Sequence, residues 1–247
     1  MKILYALIVV SLSSCSPRAI VKNRATDSAV PFGIYSFAML ENTSKIHLYS
    51  SNYLAEITTR VNAFTIGCDD RDIRRIVQEV VQNLGGNCAL ITGNAHPTVW
   101  RNGCGQLTAT AYYVKEIHKL ESIIEWHENR RLEIRDFKGP VKDRLFDAAT
   151  SSYIDYHTTR SALGNWINIY VNTVFDCNRS YFRETNSSTS FLEHEQGHFD
   201  IAEVFARRFL QELATHVSSY SELVQQHEKI YKEMGCVSFY FLNDTVQ

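Results

Sequence analysis

The sequence has no excess of basic residues. Its 25 lysines and arginines are outnumbered by 27 aspartates and glutamates, and the net charge is −2. Surfaces that bind nucleic acids or anionic headgroups gain affinity when basic side chains replace counterions. The charge balance therefore argues against a general nucleic-acid-binding protein, and we expect no nucleic-acid partner.

Two further patterns are missing. The six cysteines include no pair in C-x-x-C spacing, which argues against a zinc site made of cysteines. The apolar stretch from Ile3 to Val10 is too short to cross a bilayer as a helix. With 45% hydrophobic and 21% charged residues, the composition is that of a folded globular protein.

The first residues are typical of an export signal. Lys2 precedes the apolar stretch, and the sequence Leu-Ser-Ser-Cys, which ends at Cys15, resembles the lipobox of bacterial lipoproteins. The resemblance implies removal of the signal peptide, residues 1–14, and acylation of Cys15, whose acyl chains would anchor the protein. Ser16 favours the outer membrane, with the protein facing the periplasm. The alternative is an ordinary secretory signal with an incidental cysteine.

Exported proteins fold where disulfides persist. With Cys15 acylated, five cysteines remain, so one of them stays free. We expect Cys88 to pair with Cys104 or Cys68, and Cys177 to pair with Cys236. The sequence leaves this pairing open.

The hydrophobic pattern predicts an α+β protein. Residues 15–44 are polar and mixed, as in a tether. Residues 45–116 predict a small α/β module, and residues 117–247 a larger domain. The module has expected strands at 45–51, 87–92 and 106–114, and a helix at 69–86 with an apolar stripe of Ile73, Ile76, Val77, Val80 and Leu84. In the larger domain, residues 117–130 favour a connecting helix, and residues 131–140, 151–159 and 165–175 favour strands.

The stretch SFLEHEQGHFDIAEVFARRF, residues 190–209, predicts a helix with chemistry on one face. His194 and His198 are four residues apart, so they lie one turn apart on the same side. Glu195 follows the first histidine. A catalytic zinc ion takes three protein ligands and one water, and the HExxH arrangement supplies two of those ligands and a base. The alternative is an amphipathic helix with two histidines at the edge of the core.

The surroundings favour a metal site. Ser190 and Glu193 have the spacing of a capping box, which predicts a helix that starts near Phe191. Ile201 and Phe205 continue the face that carries the histidines. Two imidazoles on an apolar face are unfavourable unless they coordinate a metal or form hydrogen bonds.

The segment HEQGHFDIAEVFARR resembles the signature of a bacterial family of predicted secreted zinc-dependent proteases. The upstream segments EIRDFKGP, AATSSYIDYH and FDCNRSYFRE are similar in kind and order to segments of that family, so the resemblance covers about residues 130–215. It implies a zincin-like fold for the C-terminal domain, with His194 and His198 as zinc ligands and Glu195 as the base. It implies no particular substrate.

The third zinc ligand stays open. The extended pattern HExxHxxGxxH fails, because Val204 stands six residues after His198. On a straight helix, Asp200 and Glu203 face away from the histidines. We expect them to orient the histidines from outside the coordination sphere or to be solvated.

A second helix is expected to supply the missing ligand. The segment SELVQQHEKIYKEM predicts such a helix, which ends at Gly235 and has His227 in its apolar stripe. His227 and Glu222 are the leading candidates, followed by Glu228. Tyr231 is a candidate to stabilise the oxyanion of the transition state.

These patterns predict a zinc metallopeptidase that hydrolyses peptide bonds in the cell envelope. The edge of the strand that ends at Phe175 is expected to bind the peptide by strand addition. One alternative is a non-catalytic envelope lipoprotein with a structural metal site or a degraded active site, which binds a partner. Another is a metal-dependent amidase that acts on cell-wall peptides.

Overall fold

The computed structural model describes residues 18–25, 35–41, 46, 49–60, 69–95, 105–144, 146–160, 166–183, 189–216 and 219–244. Within these ranges the chain forms ten β-strands and three α-helices, which confirms an α+β protein. The signal peptide, Cys15 and Ser16 lie outside the described residues. None of the described helices is both long enough and apolar enough to cross a bilayer.

Five strands form the first sheet, in the order β1-β3-β5-β4-β2. Their bounds are β1 Arg18–Lys22, β2 Ala38–Leu40, β3 Ser51–Arg60, β4 Cys88–Ala95 and β5 Gln106–Val114. Neighbours are antiparallel except for β2 and β4, which are parallel. The predictions at 87–92 and 106–114 are confirmed. The strand predicted at 45–51 is not found in its described part, since Ile46 has 3-10 character and β3 begins only at Ser51.

Helix α1, Asp70–Asn83, packs on this sheet as predicted. Its apolar stripe buries Ile73, Val77 and Val81 completely. Asp69 caps the N-terminus by accepting hydrogen bonds from two backbone amides of the first turn. The helix stops at Gly85, whose φ of 80° is the left-handed conformation that glycine adopts at low cost.

Two strands come from the region that was expected to be a tether. Strand β1 pairs with β3, from Arg18 opposite Arg60 to Lys22 opposite Glu56. In β2, Ala38 and Leu40 are buried against β4 and its surroundings. The prediction of a tether is therefore wrong for these residues, because their backbone groups and apolar side chains find partners in the sheet.

The second sheet contains three antiparallel strands in the order β6-β9-β8. Their bounds are β6 Ile123–Glu125, β8 Ser152–Arg160 and β9 Trp166–Asp176, and a separate pair is formed by β7 Ala148–Ala149 and β10 Tyr181–Phe182. The strands predicted at 151–159 and 165–175 are confirmed as β8 and β9.

Two predictions between these sheets are wrong. Residues 117–130 do not form a connecting helix, because Ile124 is buried in β6 opposite Phe175. Residues 131–140 contain no strand but a short 3-10 helix at Ile134–Asp136. Asp136 is buried and accepts hydrogen bonds from the guanidinium of Arg130, at 2.9 and 3.0 Å. This ion pair closes the segment into a loop.

The C-terminal part consists of α2, Thr189–His216, and α3, Tyr220–Asp244. The apolar side of α2 faces the second sheet and α3 through Phe199, Ala202, Ala206, Phe209 and Leu213. The predicted end of the second helix at Gly235 is wrong, because α3 continues through this glycine to Asp244. A helical glycine is unfavourable, but it does not by itself end a helix.

The expected disulfides are not formed. Cys88 and Cys177 are buried free thiols, which excludes the predicted pairings of Cys88 with Cys68 or Cys104 and of Cys177 with Cys236. Each of the two packs among apolar side chains of a hydrophobic core. Burial raises the pKa of both thiols to about 12, so neither is a reactive thiolate at neutral pH.

The continuity of α3 can be tested at its glycine. A Cβ added at Gly235 meets no described atom within 4 Å. We therefore expect Gly235→Ala to raise the free energy of unfolding, measured by urea denaturation, by about 0.5–1 kcal/mol. In the matched control Gly86→Ala, the new Cβ would lie 2.7 Å from a methyl carbon of Val81, which predicts a loss of about 1–3 kcal/mol. Destabilisation by Gly235→Ala would contradict a continuous helix.

Candidate metal and catalytic site

Helix α2 carries the predicted site on its second turn. It begins at Thr189, two residues before the predicted start at Phe191. The buried Phe199 anchors this part of the helix beneath β9, where its ring lies 5.7 Å from the ring of Phe175. His198 precedes Phe199 directly, so it is turned about 100° away from the core contact. This position leaves His194 and His198 half-buried at the margin of the core.

The two imidazoles converge. The Nε2 atoms of His194 and His198 are 3.2 Å apart, and the rings are perpendicular with centroids at 4.8 Å. Two nitrogens bound to one tetrahedral zinc ion at 2.0–2.1 Å would be about 3.3 Å apart. The same separation also suits one hydrogen bond between neutral imidazoles. The distance between the two nitrogens is therefore compatible with both arrangements.

The surroundings keep both histidines neutral. Burial lowers the pKa of His194, and burial together with the neighbouring His194 lowers the pKa of His198 to about 4. Neutral imidazole is the form that binds a metal. At neutral pH both histidines are therefore in the protonation state that metal binding requires.

Glu195 is the most deeply buried charged group of this turn, with 4% of its surface exposed. Its backbone carbonyl accepts a hydrogen bond from the hydroxyl of Thr150 at 3.1 Å. The Oε2 atom is buried without a hydrogen-bond partner among the described residues. Burial raises the pKa of the Glu195 carboxyl, and hydrogen bonds from Thr150 oppose this rise in part. A carboxylate that is poorly solvated is a stronger base than one in water.

Three distant segments meet around this turn. The loop at 131–140 contacts the segment after β9, because Gly139 donates a hydrogen bond to the carbonyl of Ser180 at 2.7 Å. The segment between β7 and β8 reaches α2 through Thr150. The side chain of Gln196, which is buried, accepts a hydrogen bond from the amide of Leu132 at 2.8 Å. These contacts fix the rotation of α2, and with it the direction of the histidines.

The structure does not bring His227 to the histidine pair. His227 lies on α3, and its ring packs against the rings of Tyr156, Tyr231 and Phe209, with centroid distances of 4.7, 4.6 and 5.5 Å. Phe209 lies about three turns beyond His198, or about 16 Å along the helix. Its place in this aromatic cluster therefore rules out His227 as the third ligand.

Glu222 and Tyr231 also serve other purposes. Glu222 closes a capping box at the start of α3, where it accepts a hydrogen bond from the amide of Ser219 at 3.2 Å. The hydroxyl of Tyr231 accepts a hydrogen bond from the amide of Ile154 at 2.7 Å. Both predictions are corrected: Glu222 is a capping residue, and Tyr231 binds the backbone of β8.

The acidic residues after His198 bind other parts of the fold. Asp200 accepts hydrogen bonds from the indole of Trp126 at 2.8 Å and from Gln196 at 2.7 Å. Glu203 accepts one from the hydroxyl of Thr173 at 2.7 Å. They hold α2 against the second sheet. Among the described residues, no third His, Cys, Asp or Glu completes a group of three metal ligands with the histidine pair.

The expected peptide-binding edge is not available where it was predicted. Strand β9 is central in its sheet, and near Phe175 it pairs with β6 on one side and β8 on the other. The backbone groups of this segment are therefore already used. The short apolar strand β6 supplied no distinct signal in the sequence.

A second group of metal-ligating side chains escaped the sequence analysis. Asp69, Asp72 and His157 place one ligand atom each within 4.8 Å of one another. Asp69 and Asp72 lie at the start of α1 and His157 lies on β8, more than 80 residues away. No spacing along the chain indicates this group, because only the packing of α1 beside the second sheet assembles it.

Comparison with known proteins gives no assignment: no family model, curated protein or solved structure matches the chain.

The low pKa of His198 predicts a pH dependence of stability. The unfolded chain binds a proton at this histidine below about pH 6.5, and the folded protein only below about pH 4. In this window the unfolded state holds more protons, so the free energy of unfolding of the metal-free protein falls as the pH falls. His198→Gln should make the decrease shallower between these pH values, as measured by urea denaturation in EDTA. His127→Gln, at an exposed position, is the control, and an equal slope in His198→Gln and the parent protein would contradict the prediction.

Proposed function

We propose that this chain is a zinc-dependent metallopeptidase that hydrolyses peptide bonds in the cell envelope, with His194 and His198 as zinc ligands and Glu195 as the base. The observation that carries the proposal is the convergence of the two Nε2 atoms to 3.2 Å.

The donor set fits zinc. Imidazole nitrogens are common ligands of this ion, and the 3.2 Å separation is close to the distance expected between two of its ligands. The half-buried position at the margin of the core leaves one side of the pair open to solvent. The remaining ligand is not among the described residues.

The chemistry divides between the ion and the protein. A zinc ion held by His194 and His198 would supply a Lewis acid for the scissile carbonyl and for the attacking water. Glu195 then accepts a proton from the attacking water and returns it to the leaving amine. Its burial and its Oε2 atom suit this task, because no hydrogen-bond donor among the described residues binds that oxygen.

The resemblance to secreted zinc-dependent proteases supports the same reading. The segments that carry it are far apart in the sequence, yet they contact one another around the HExxH turn through Gly139, Ser180 and Thr150. A chance match of four short segments would have no reason to assemble at one place. The zincin-like fold is part of this proposal.

The cellular location is also proposed. Acylation of Cys15 would hold the protein on the outer membrane, facing the periplasm, where peptide or protein substrates and cell-wall peptides are accessible. An amidase that cleaves cell-wall peptides would use the same water and the same base, so the choice between the two substrate classes rests on the assay.

A non-catalytic envelope protein is the second candidate. The placement of His227 in an aromatic cluster and of Glu222 in a helix cap favours it, since neither leading candidate completes the zinc site. In that case the histidine pair would hold an ion for structural reasons or would be the remnant of an active site.

Zinc content tests whether the histidine pair binds a metal at all, which both the peptidase and a structural metal site require and a remnant of an active site does not. Full-length proteins are loaded with zinc and then dialysed, and their zinc content is measured by plasma mass spectrometry. The His194→Ala variant should hold one equivalent less than the parent protein. His227→Ala should keep that equivalent, because the ring of His227 packs among aromatic side chains. An unchanged zinc content in His194→Ala would contradict metal binding by the pair.

Glu195→Gln tests catalysis. We expect the rate of hydrolysis of a quenched fluorescent peptide library to fall by about 10²–10⁴-fold, as is typical of a lost general base, while zinc content stays the same. Because the raised pKa of Glu195 means that its ionised form opposes folding, stability at pH 7 should be unchanged or higher. Glu193→Gln, at an exposed position on the same turn, should remain active. Equal rates for Glu195→Gln and the parent protein would exclude the mechanism, and a zinc-loaded parent that cleaves neither this library nor cell-wall peptides would favour the non-catalytic candidate.

A further inference from the structure

Three potential metal ligands meet where the N-terminus of α1 faces β8. Asp69 and Asp72 belong to the helix end, and His157 belongs to the strand. The Nε2 atom of His157 lies 3.1 Å from Oδ2 of Asp69 and 3.8 Å from Oδ2 of Asp72. The ligand atoms of all three residues lie within 4.8 Å of one another. This group is separate from the histidine pair on α2.

Helix capping uses only part of these carboxylates. Oδ1 of Asp69 accepts hydrogen bonds from the amides of Arg71 and Asp72, and Oδ2 of Asp72 accepts one from the amide of Asp69. The capping box thus leaves Oδ2 of Asp69 and Oδ1 of Asp72 for another purpose. Of the atoms that face His157, Oδ2 of Asp69 is free of the cap, whereas Oδ2 of Asp72 both closes the cap and lies 3.8 Å from the imidazole nitrogen.

Two atoms of the group are buried and have no hydrogen-bond partner. The side chain of Asp72 is only 4% exposed, and its Oδ1 atom is without a partner among the described residues. The Nε2 atom of His157 is also buried, and despite its short distance to Asp69 it forms no hydrogen bond there. Buried polar atoms without partners are rare and unfavourable. The unpartnered nitrogen of His157 lies 3.1 and 3.8 Å from oxygens of the two aspartates, an arrangement that suits an ion held between the three side chains.

Neighbouring cations do not fill this role. The guanidinium of Arg71 binds Asp155 and the carbonyl of Tyr156 on β8. Arg75 stacks on the ring of Tyr170 and donates a hydrogen bond to its hydroxyl. The two carboxylates and the imidazole therefore face one another without a described cation between them.

We propose that Asp69, Asp72 and His157 bind a divalent transition-metal ion. Two carboxylate oxygens and one imidazole nitrogen form a donor set that suits Zn²⁺ or Mn²⁺, and three protein ligands leave a position for water. The positive end of the α1 dipole disfavours a cation, but the two carboxylates stand at that end and compensate it. The ion would be a structural cross-link between α1, which packs on the first sheet, and β8, which belongs to the second sheet.

Zinc titration of a protein without the α2 pair isolates this site. The full-length His194→Ala/His198→Ala double variant, freed of metal, is titrated with Zn²⁺ by calorimetry. We expect it to bind one equivalent and to unfold at a higher temperature when zinc is present, because the ion binds only the folded state. Addition of His157→Gln should weaken binding by at least about a hundredfold, beyond the typical loss of an outer-sphere partner.

Two further variants control the test. Asp70→Asn, added to the double variant, removes a carboxylate of the same turn that pairs with Arg74 at 2.7 Å. The resulting protein should bind zinc as tightly as the double variant does. Asp69→Asn keeps a residue that caps helices well but removes the ligand charge, so it tests the site even if His157→Gln fails to fold. Absence of zinc binding by the double variant would overturn the proposal, as would equal affinity after His157→Gln or Asp69→Asn. These outcomes do not depend on the peptidase proposal, because the histidine pair is absent throughout.

Discussion

The contact between α2 and the second sheet determines where the chemistry of this protein can lie. Phe199 and Phe175 are both completely buried, with ring centroids 5.7 Å apart. Because Phe199 faces β9, His198 and His194 are turned about 100° and about 140° away from it around the helix. His194 and His198 therefore fall at the margin, where burial is sufficient to keep them neutral and access to solvent remains. A rotation of the helix by one residue would place them in water or deep in the apolar interior.

Hydrogen bonds of two side chains on α2 also hold the helix in this orientation. Gln196 binds the backbone at Leu132, and Asp200 binds Trp126. Both partners follow β6 in the chain and bind the side of α2 that carries Gln196 and Asp200. If α2 turned, these buried or half-buried polar groups would lose partners that water could not easily replace. The polar contacts thus add directional specificity to an apolar contact that has little of its own.

Much of the framework could be predicted because it depends on local patterns. The stripe of α1 with its cap at Asp69, the long strands β8 and β9, and the one-turn spacing of the histidines all follow from periodicities of 3.6 and 2. The loop at 131–140 could not be predicted in this way, since the buried pair of Arg130 and Asp136 overrides the strand pattern. Strand β2 is too short to show a period, and its stability depends on β4, which is distant in sequence.

The prediction of ligands failed for a related reason. A stripe on α3 shows which residues face inward, but not which turn of α2 they meet. That choice depends on the relative positions of two helices, and it places His227 beside Phe209 rather than beside His198. The group of Asp69, Asp72 and His157 is a stronger case, because its members belong to elements that contact each other only in the folded protein.

Both candidate sites contain a buried carboxylate oxygen without a described partner, Oε2 of Glu195 and Oδ1 of Asp72, although Glu121 and His227 also leave such atoms elsewhere in the fold. At Glu195 an apolar side chain of similar size would avoid the desolvation of a carboxylate, so packing alone does not explain it. Asp72 has a structural role as well, because it closes the cap of α1. Such unfavourable groups are found preferentially where a protein handles a ligand or a proton. Glu195 follows His194 in the sequence and Asp72 lies beside His157, so a cation bound at either proposed site would stabilise the carboxylate.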